Sequence, residues 1–213
     1  MALAYQTALT IESVIKDIDS KKYLLPSIQR EFVWSTGQIE KLFDSLMRDY
    51  PINAFLFWKV PREKVSEFKF YEFLRDYHQK DNKHTPKANT NGTEDIIAIL
   101  DGQQRMTSLY IALKGTYAYK MSYKRWDNPA AYPKRKLYLN LLAASDDADM
   151  FYDFLFLTEE EAKNIKNDND EYEGSFWFPV GKILDFREES DVNDYLIDND
   201  LNTVADKAQA KFA

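Results

Sequence analysis

The sequence predicts a mixed α/β fold in which short amphipathic helices flank a sheet with a central, doubly buried strand. The unbroken apolar run Ile96–Leu100 is typical of a strand buried on both faces, and it ends in a polar cluster that opens a helix. Apolar residues recur with helical spacing in residues 11–18 and 39–46, which predicts two helices that each pack by one face. Strands and helices of this kind indicate an α/β domain with one packed core.

Composition limits the classes of protein that this chain can belong to. A chain of 213 residues, 45% of them hydrophobic, is long enough to bury a core. There is no cysteine and there are only two histidines, which excludes disulfides, thiolate sites, a histidine triad and a multi-histidine metal site. No apolar run approaches the ~18 residues of a membrane span, and the first residues lack a secretory pattern. We expect a cytoplasmic protein.

Capping and turn signals place the first elements. Thr10 is a candidate N-cap for a helix with Ile11, Val14, Ile15 and Ile18 on one face, and Ser35 with Gln38 forms a capping box for a helix that ends near Arg48. A brief strand at residues 23–25 is halted by Pro26, and residues 27–34 are predicted as an ordered loop. A buried strand is predicted at residues 54–60. Residues 62–93 are interpreted as a disordered polar insertion, with a cover over the central junction as the alternative. Within them, the aromatic-rich residues 67–77 are predicted to form a strand or a helix, and residues 79–92 a mobile loop.

The second half continues the α/β pattern. The helix after the central strand is predicted to end at Gly115, and strands are expected at residues 136–142, 152–157 and 176–180. A short acidic helix follows Thr158, and the run Glu159–Glu161 is interpreted as its exposed first turn rather than as a metal site. We divide the chain into a domain at 1–190 and the start of a truncated helical region at 191–213.

The junction between the central strand and its helix is the candidate binding site. Asp101 is predicted to be the N-cap, with Gln104 completing the capping box, and Gly102 allows a tight turn. Helix N-termini attract phosphate, and the planar guanidinium of Arg105 suits phosphate oxygens. A purely structural alternative remains, in which these residues only cap the helix, form the turn and lie along the surface.

The charge of the chain is unevenly distributed. The net charge is −7, yet residues 114–136, which we call the basic aromatic segment, carry seven basic residues and one acidic residue. Five aromatic residues are interleaved with these cations, a mixture that contacts phosphates and stacks on bases. The alternative is a basic surface loop whose aromatic residues belong to the core. The candidate contacts with DNA are Trp34, Lys120, Lys124, Arg125 and Trp126.

Two segments resemble the signatures of the N-terminal domain of GmrSD-type modification-dependent restriction enzymes. In residues 24–34, Pro26, Gln29, Arg30, Phe32 and Trp34 match the first signature, while Leu25 replaces its Ile. In residues 101–109, Asp101, Gly102, Gln103, Gln104, Arg105, Thr107 and Leu109 match the second, with Met106 and Ser108 as departures. Asn53 stands where the family commonly has Gly. The resemblance covers roughly residues 10–190.

This resemblance implies a fold similar to the ParB and sulfiredoxin group, with a strand-to-helix turn that binds nucleotide phosphates. The site expected from it combines Asp101, Gln104 and Arg105 as catalytic residues with Gln29, Arg30, Gly102, Gln103 and Thr107 as binding residues. The cofactor would be a nucleoside triphosphate with Mg²⁺. Asp101 would either cap the helix, the preferred interpretation, or hold the metal through water; the metal-binding residues remain unassigned. Arg105 would neutralise charge on the transferred phosphoryl group, and Gln104 would orient water.

The resemblance also implies a partner and a cellular role. Relatives couple nucleotide hydrolysis to the restriction of modified DNA and continue into a helical region and often a His-Asn-His nuclease domain. We therefore expect a restriction and phage-defence protein that acts on modified DNA, with nuclease activity in a C-terminal part or partner and possible homo-oligomers. Two alternatives remain open: a sensor of nucleotide or modified DNA that does not hydrolyse, and a protein-interaction domain that regulates a nuclease.

Overall fold

The computed structural model describes residues 9–28, 31–91, 94–164 and 175–201. The helices in these ranges are α1 (Ile11–Asp19), α2 (Thr36–Met47), α3 (Arg62–Val65), α4 (Gln103–Lys114), α5 (Glu159–Asn164) and α6 (Glu189–Asp198). The strands are β1 (Tyr23–Pro26), β2 (Leu56–Val60), β3 (Phe70–Tyr71), β4 (Asp76–His78), β5 (Ile96–Asp101), β6 (Thr116–Ala118), β7 (Lys134–Ala144), β8 (Tyr152–Leu157) and β9 (Trp177–Pro179). Short 3-10 helices lie at Pro129–Ala131 and Val180–Asp185.

The strands form two mixed sheets. The first has the order β2-β5-β1-β3, with β1 parallel to β5 and the other pairs antiparallel. The second has the order β4-β6-β7-β8, with β4 parallel to β6, and β9 pairs with β7. Helix α4 directly follows β5, one of the two inner strands of the first sheet, and leads into β6 of the second. The predicted mixed α/β class is confirmed.

The main hydrophobic cluster surrounds α4. Met106 to Leu113 are all buried, as expected for a helix that neighbours cover on every side. Ile99 of β5 belongs to this cluster, whereas Ile96 and Ala98 pack with Leu24 and Val60 in a second cluster. The prediction that the central strand is buried on both faces is therefore confirmed for Ile96, Ala98 and Ile99, while Ile97 is partly buried. Its last two residues, Leu100 and Asp101, are exposed.

Several local predictions are confirmed. The Thr10 side chain accepts the Ser13 N–H and begins α1, and Ser35 with Gln38 forms both halves of a capping box at α2. Gly115 ends α4. These signals involve residues within three or four positions of each other, so they do not depend on the tertiary fold. In the part of the chain that the structure describes, no helix combines the length and apolar character needed to cross a membrane.

Two predicted features are wrong. The strand at residues 54–60 is shorter and is not buried: β2 lies at the edge of the first sheet, and only Val60 is fully covered. The described part of the predicted insertion is not a separate disordered segment, because β3 pairs with β1 and β4 pairs with β6. Both strands begin within residues 67–77, where a strand was one of the two predicted structures. His84 from this region lies 3.2 Å from Glu31 of the first signature. Short strands of two or three residues carry too little periodicity to be distinguished from a helix by sequence.

Carboxylates of α2 cover the outer edge of β8. Asp44 accepts the N–H groups of Phe151 and Tyr152, both at 2.8 Å, and Glu40 accepts the Phe156 N–H at 3.1 Å. Residues 40 and 44 are one helical turn apart, so both face the strand. An edge strand exposes a row of unpaired N–H groups, and these contacts satisfy two of them together with the N–H of Phe151, which directly precedes β8.

Glu40 should make the stability of the protein depend on pH. Burial raises the pKa of Glu40 to about 7; the Phe156 N–H opposes this shift and the nearby Asp153 carboxylate adds to it. The folded state therefore holds a proton between about pH 4.5 and 7 that the unfolded state releases, so the free energy of unfolding falls as pH rises through this range. We expect Glu40→Gln, which can still accept the N–H, to stabilise the protein by about 2 kcal/mol at pH 8.

Urea denaturation of the Glu40→Gln variant and the parent at pH 5 and pH 8 measures this effect. Most of the stabilisation seen at pH 8 should be lost at pH 5, which lies near the lower end of this range. A residual dependence on pH is expected from Asp153, whose pKa burial also raises. Glu63→Gln, an exposed position in α3, is the matched control and should change stability equally little at both pH values. Equal behaviour of the two variants would contradict the assignment to Glu40.

Candidate functional site

The chain turns from β5 into α4 at Gly102. Gly102 has a φ of 85° and is the N-cap of the helix. A Cβ atom at this position would lie 2.3 Å from Cδ1 of Phe55, so both the backbone conformation and the neighbouring ring require glycine. The predicted N-cap role of Asp101 is wrong, because its side chain caps nothing and is 74% exposed. The left-handed turn moves the start of the helix one residue further along the chain.

The N-terminus of α4 carries donors that the helix itself cannot use. The first hydrogen bond within the helix joins the Met106 N–H to the Gly102 carbonyl at 2.9 Å. The N–H groups of Gln103, Gln104 and Arg105 precede it and have no carbonyl partner inside the helix. Together with the positive end of the helix dipole, such groups bind phosphate oxygens in many proteins.

Gln104 joins the two signature segments. Its Nε2 donates to the Glu31 carbonyl at 2.9 Å, and its Oε1 accepts the Val33 N–H at 3.0 Å. The amide thus binds the backbone of the first signature much as a neighbouring β-strand would. Phe32, between these two contacts, is buried and packs edge-on against Tyr77. The first signature is therefore held beside the start of α4.

Arg105 holds a second segment at the same helix terminus. Its Nη1 donates to the Ile52 carbonyl, and its Nη2 donates to the Ala54 carbonyl at 2.8 Å. The guanidinium also lies over the Phe55 ring, with 4.6 Å between Cζ and the ring centre, and only 15% of the side chain is exposed. Asn53 forms the turn between the two carbonyls with a φ of 71°. Arg105 therefore acts first as a clamp on this turn.

The other predicted residues of the junction are placed differently. Gln103 folds back and donates through Nε2 to the Ile99 carbonyl at 2.9 Å, so its side chain secures the end of β5. Thr107 is 4% exposed and lies inside the protein, and we therefore remove it from the candidate contacts. Asp101 Oδ2 lies 3.8 Å from Nη2 of Arg105. Gln29 and Arg30 lie outside the described residues.

The basic aromatic segment divides between the core and the surface. Tyr117, Tyr132 and Arg135 are buried, in agreement with the alternative that the segment supplies core residues. Arg135 lies over the Tyr119 ring at 4.1 Å, and its Nε lies 3.7 Å from Oε2 of Glu161. Lys124, Arg125 and Trp126 are exposed next to one another, with Tyr123 beside them, and Lys114, Lys134 and Lys136 are exposed elsewhere in the segment. Their role cannot be that of core residues.

Two of the predicted DNA contacts take part in the structure of the protein itself. The Lys120 amino group donates to the carbonyls of Met121 and Lys124. Trp34 is partly buried against the main cluster, and its carbonyl accepts the Tyr117 hydroxyl at 2.9 Å. Burial raises the pKa of Tyr117, which therefore remains a neutral donor in this bond. Trp34 thus links the first signature to β6 of the second sheet.

Sequence reasoning missed the residues that the signature side chains bind. Phe55 and the carbonyls of Ile52 and Ala54 form one wall of the junction, although they lie about fifty positions before Arg105. The signal that pointed to them was Asn53, a residue tolerant of positive φ where the resembling family has glycine. No group of three or more histidine or acidic side chains in the described ranges is arranged to hold a metal ion.

The comparisons with known proteins identify the class of this chain. Residues 11–210 match the family model described as "GmrSD restriction endonuclease, N-terminal domain", and the chain therefore belongs to this family. It is also similar to the uncharacterized protein MJ0686 of Methanocaldococcus jannaschii, with 31% identity over 115 residues. That match covers 53% of this chain and 18% of the relative, so the chain spans less than a fifth of the relative's length.

Proposed function

We propose that this domain binds a nucleoside triphosphate at the N-terminus of α4 within a restriction protein that acts on modified DNA in the cytoplasm. One observation carries the proposal: both family signatures meet at the Gly102 turn, where three backbone N–H groups precede the first helical hydrogen bond. The walls around these donors are the first signature, held by Gln104, and the Asn53 turn, held by Arg105. Such an arrangement fits an anion.

Backbone amides would supply the phosphate contacts, because the signature side chains are engaged elsewhere. Gln103 and Gln104 bind the backbone of neighbouring segments, and Arg105 binds two carbonyls. A guanidinium has five N–H donors, so Arg105 retains donors and its positive charge for an anion at the same place. In this proposal the backbone amides bind the phosphates, while the side chains hold the neighbouring segments rigidly on each side of the helix terminus.

The residues present fit a nucleotide that arrives with Mg²⁺. Mg²⁺ is commonly bound through one or two carboxylates together with substrate phosphates, and Asp101 offers an exposed carboxylate at the edge of the junction. Bound there, the ion would neutralise phosphate charge. Without the ion, the Asp101 carboxylate would repel the phosphates. Asp101 would therefore favour nucleotide binding in the presence of Mg²⁺ and oppose it in its absence.

The geometry favours binding over hydrolysis as the role of this part of the chain. Gln104 was expected to orient the attacking water, but both ends of its amide bind the first signature. A water-positioning residue needs a free polar group next to the phosphates. The alternative of a nucleotide sensor that regulates a nuclease domain is therefore the form of the proposal that the side-chain contacts support.

Thermal unfolding with each nucleoside triphosphate, with and without Mg²⁺, tests the proposal, and an assay for released phosphate is run in parallel. A nucleotide-dependent rise in Tm without phosphate release is the expected result. No rise with any nucleotide contradicts the proposal, and release of phosphate by this chain contradicts the sensor form of it.

Asp101→Asn sharpens this test. Removing the carboxylate should weaken binding of the Mg²⁺-nucleotide complex by about tenfold and leave binding in EDTA equal or stronger, because a repulsive charge has gone. Asp146→Asn, at another exposed acidic residue, is the matched control and should change neither affinity. A uniform loss with and without Mg²⁺ would show that Asp101 does not face the metal.

A further inference from the structure

The exposed part of the basic aromatic segment is a compact loop with its own internal support. Residues 121–131 form the loop within the connection from β6 to β7, and the Met121 N–H closes the loop on the Ala131 carbonyl at 2.7 Å. The Lys120 amino group donates to the carbonyls of Met121 and Lys124 at 3.1 and 2.9 Å. Asn128 accepts the Ala130 N–H at 2.9 Å and begins the 3-10 helix. The loop therefore presents its tip in a defined conformation.

Tyr123 occupies this tip in a conformation that its side chain disfavours. Its φ is 62°, in the left-handed region, and its side chain is completely exposed. A bulky residue is a true outlier there, and glycine or asparagine would adopt the same turn with less strain. Core packing does not explain why an aromatic residue stands at this position, because the ring is completely exposed. An exposed aromatic residue held in a strained turn is typical of a contact with another molecule.

The neighbours of Tyr123 define the kind of molecule. Lys124 and Arg125 follow it directly and are exposed, and Trp126 is 50% exposed. Trp126 is supported from behind by Tyr132, whose ring packs against it edge-on and whose hydroxyl donates to its carbonyl at 2.9 Å. The acidic residue of the tip is Asp127. Residues 120–127 carry three cations and one anion, on a chain with a net charge of −7.

We infer that this tip binds single-stranded DNA, with Tyr123 stacked on an unpaired base and Lys124 and Arg125 on the flanking phosphates. An aromatic face needs an exposed base face, which a regular duplex offers only at ends and kinks. Trp126 provides a second ring for a neighbouring base. The inference rests on DNA as the partner in the proposed function, but it uses different residues from the nucleotide site.

Fluorescence anisotropy with labelled oligo-dT tests this assignment, and a duplex of equal length is the comparison. Tyr123→Gly removes the ring and relieves the backbone, so it should fold at least as well as the parent and bind oligo-dT about tenfold more weakly. Tyr123→Phe keeps the ring and should bind like the parent. Phe151→Ala, at an exposed aromatic residue outside the loop, is the matched control and should leave binding unchanged.

A charge variant tests the phosphate contacts separately. Lys124→Ala combined with Arg125→Ala should reduce the magnitude of the negative slope of log affinity against log salt by about 1.4, because two phosphate contacts are lost. Binding of oligo-dT that is insensitive to Tyr123→Gly, or tighter binding of the duplex, overturns the inference. Capture of a protein partner by the loop with no affinity for DNA at low salt also overturns it.

Nucleotide-induced shifts in Tm, measured on the same Tyr123 variants, separate this inference from the proposed function. These shifts should equal that of the parent. Loss of DNA binding in Tyr123→Gly with an intact nucleotide response supports both claims. If the parent binds nucleotide but no DNA, the loop assignment alone is wrong. If DNA binding follows Tyr123 but no nucleotide stabilises the parent, the nucleotide site alone is wrong.

Discussion

Gly102→Ala should lower the free energy of unfolding by about 3 kcal/mol. The added Cβ would force an L-residue into a φ of 85° and would lie 2.3 Å from Cδ1 of Phe55. That ring cannot move freely, because it stacks with Phe57 at 6.3 Å and lies under the Arg105 guanidinium. The strain and the clash therefore add, and urea denaturation measures their sum.

Gly37→Ala is the matched control for this substitution. Gly37 lies in the first turn of α2, where an added Cβ would meet only Oε2 of Glu40 at 3.8 Å. We expect a small stabilisation of about 0.5 kcal/mol, because alanine favours the helix. Combining Gly102→Ala with Phe55→Ala should cost less than the two single changes together, since the clash disappears. Parental stability of Gly102→Ala would contradict the described turn.

Arg105→Ala should destabilise the protein by about 2–3 kcal/mol, which is a structural effect separate from any effect on ligands. The change releases the Ile52 and Ala54 carbonyls and uncovers the Phe55 ring. Both carbonyls can reach water in part, which keeps the loss below that of a fully buried pair. Urea denaturation measures the loss, and faster exchange of amides near Asn53 would locate it.

Arg105→Lys separates the clamp from the charge. Lysine keeps the positive charge but lacks the planar fork that reaches two carbonyls at once, so we expect about half of the destabilisation. Nucleotide affinity should then fall less than in Arg105→Ala. Arg62→Ala, at an exposed arginine of α3, should change stability by less than about 0.5 kcal/mol. An Arg105→Ala variant as stable as Arg62→Ala would exclude the clamp.

The described contacts give the signature residues a physical meaning that the sequence alone did not carry. Arg105 and Gln104 follow one another, yet they bind backbone segments about fifty and seventy positions earlier in the chain. Each side chain thus fixes one wall beside the same helix terminus. The family to which this chain belongs is named for restriction endonucleases. The proposed anion site would suit a module that senses a nucleotide and reports to a nuclease.

Local patterns predicted the parts of the fold that depend on neighbouring residues. Thr10 and Ser35 cap their helices because cap and first turn lie within three positions, and Ile96–Ile99 form a buried strand because every residue is apolar. The prediction that Asp101 is the N-cap is wrong because its spacing to Gln104 satisfies a capping pattern, whereas the left-handed Gly102 occupies the cap position. Only the tertiary fold decides which of two adjacent residues begins the helix.

The sequence predicted where the candidate site lies, but not the hydrogen-bond partners of its side chains. The strand, the glycine turn and the helix follow from residues 96–113, and the structure confirms this order. The partners of Gln104 and Arg105 are backbone atoms, which have no sequence signature of their own. The sequence left open whether residues 67–77 form a strand or a helix for a related reason: β3 and β4 are stabilised by pairing with β1 and β6 rather than by their own periodicity.

The central claim is that phosphate groups bind the free amides at the start of α4. Titration of the isotope-labelled chain with a non-hydrolysable nucleoside triphosphate and Mg²⁺, followed by amide chemical shifts, tests it most directly. The largest shifts should fall on Gly102, Gln103, Gln104 and Arg105, with a smaller shift at Val33 and none at residues 121–131. Shifts centred away from the Gly102 turn, or none at these amides at saturating nucleotide, would contradict the account.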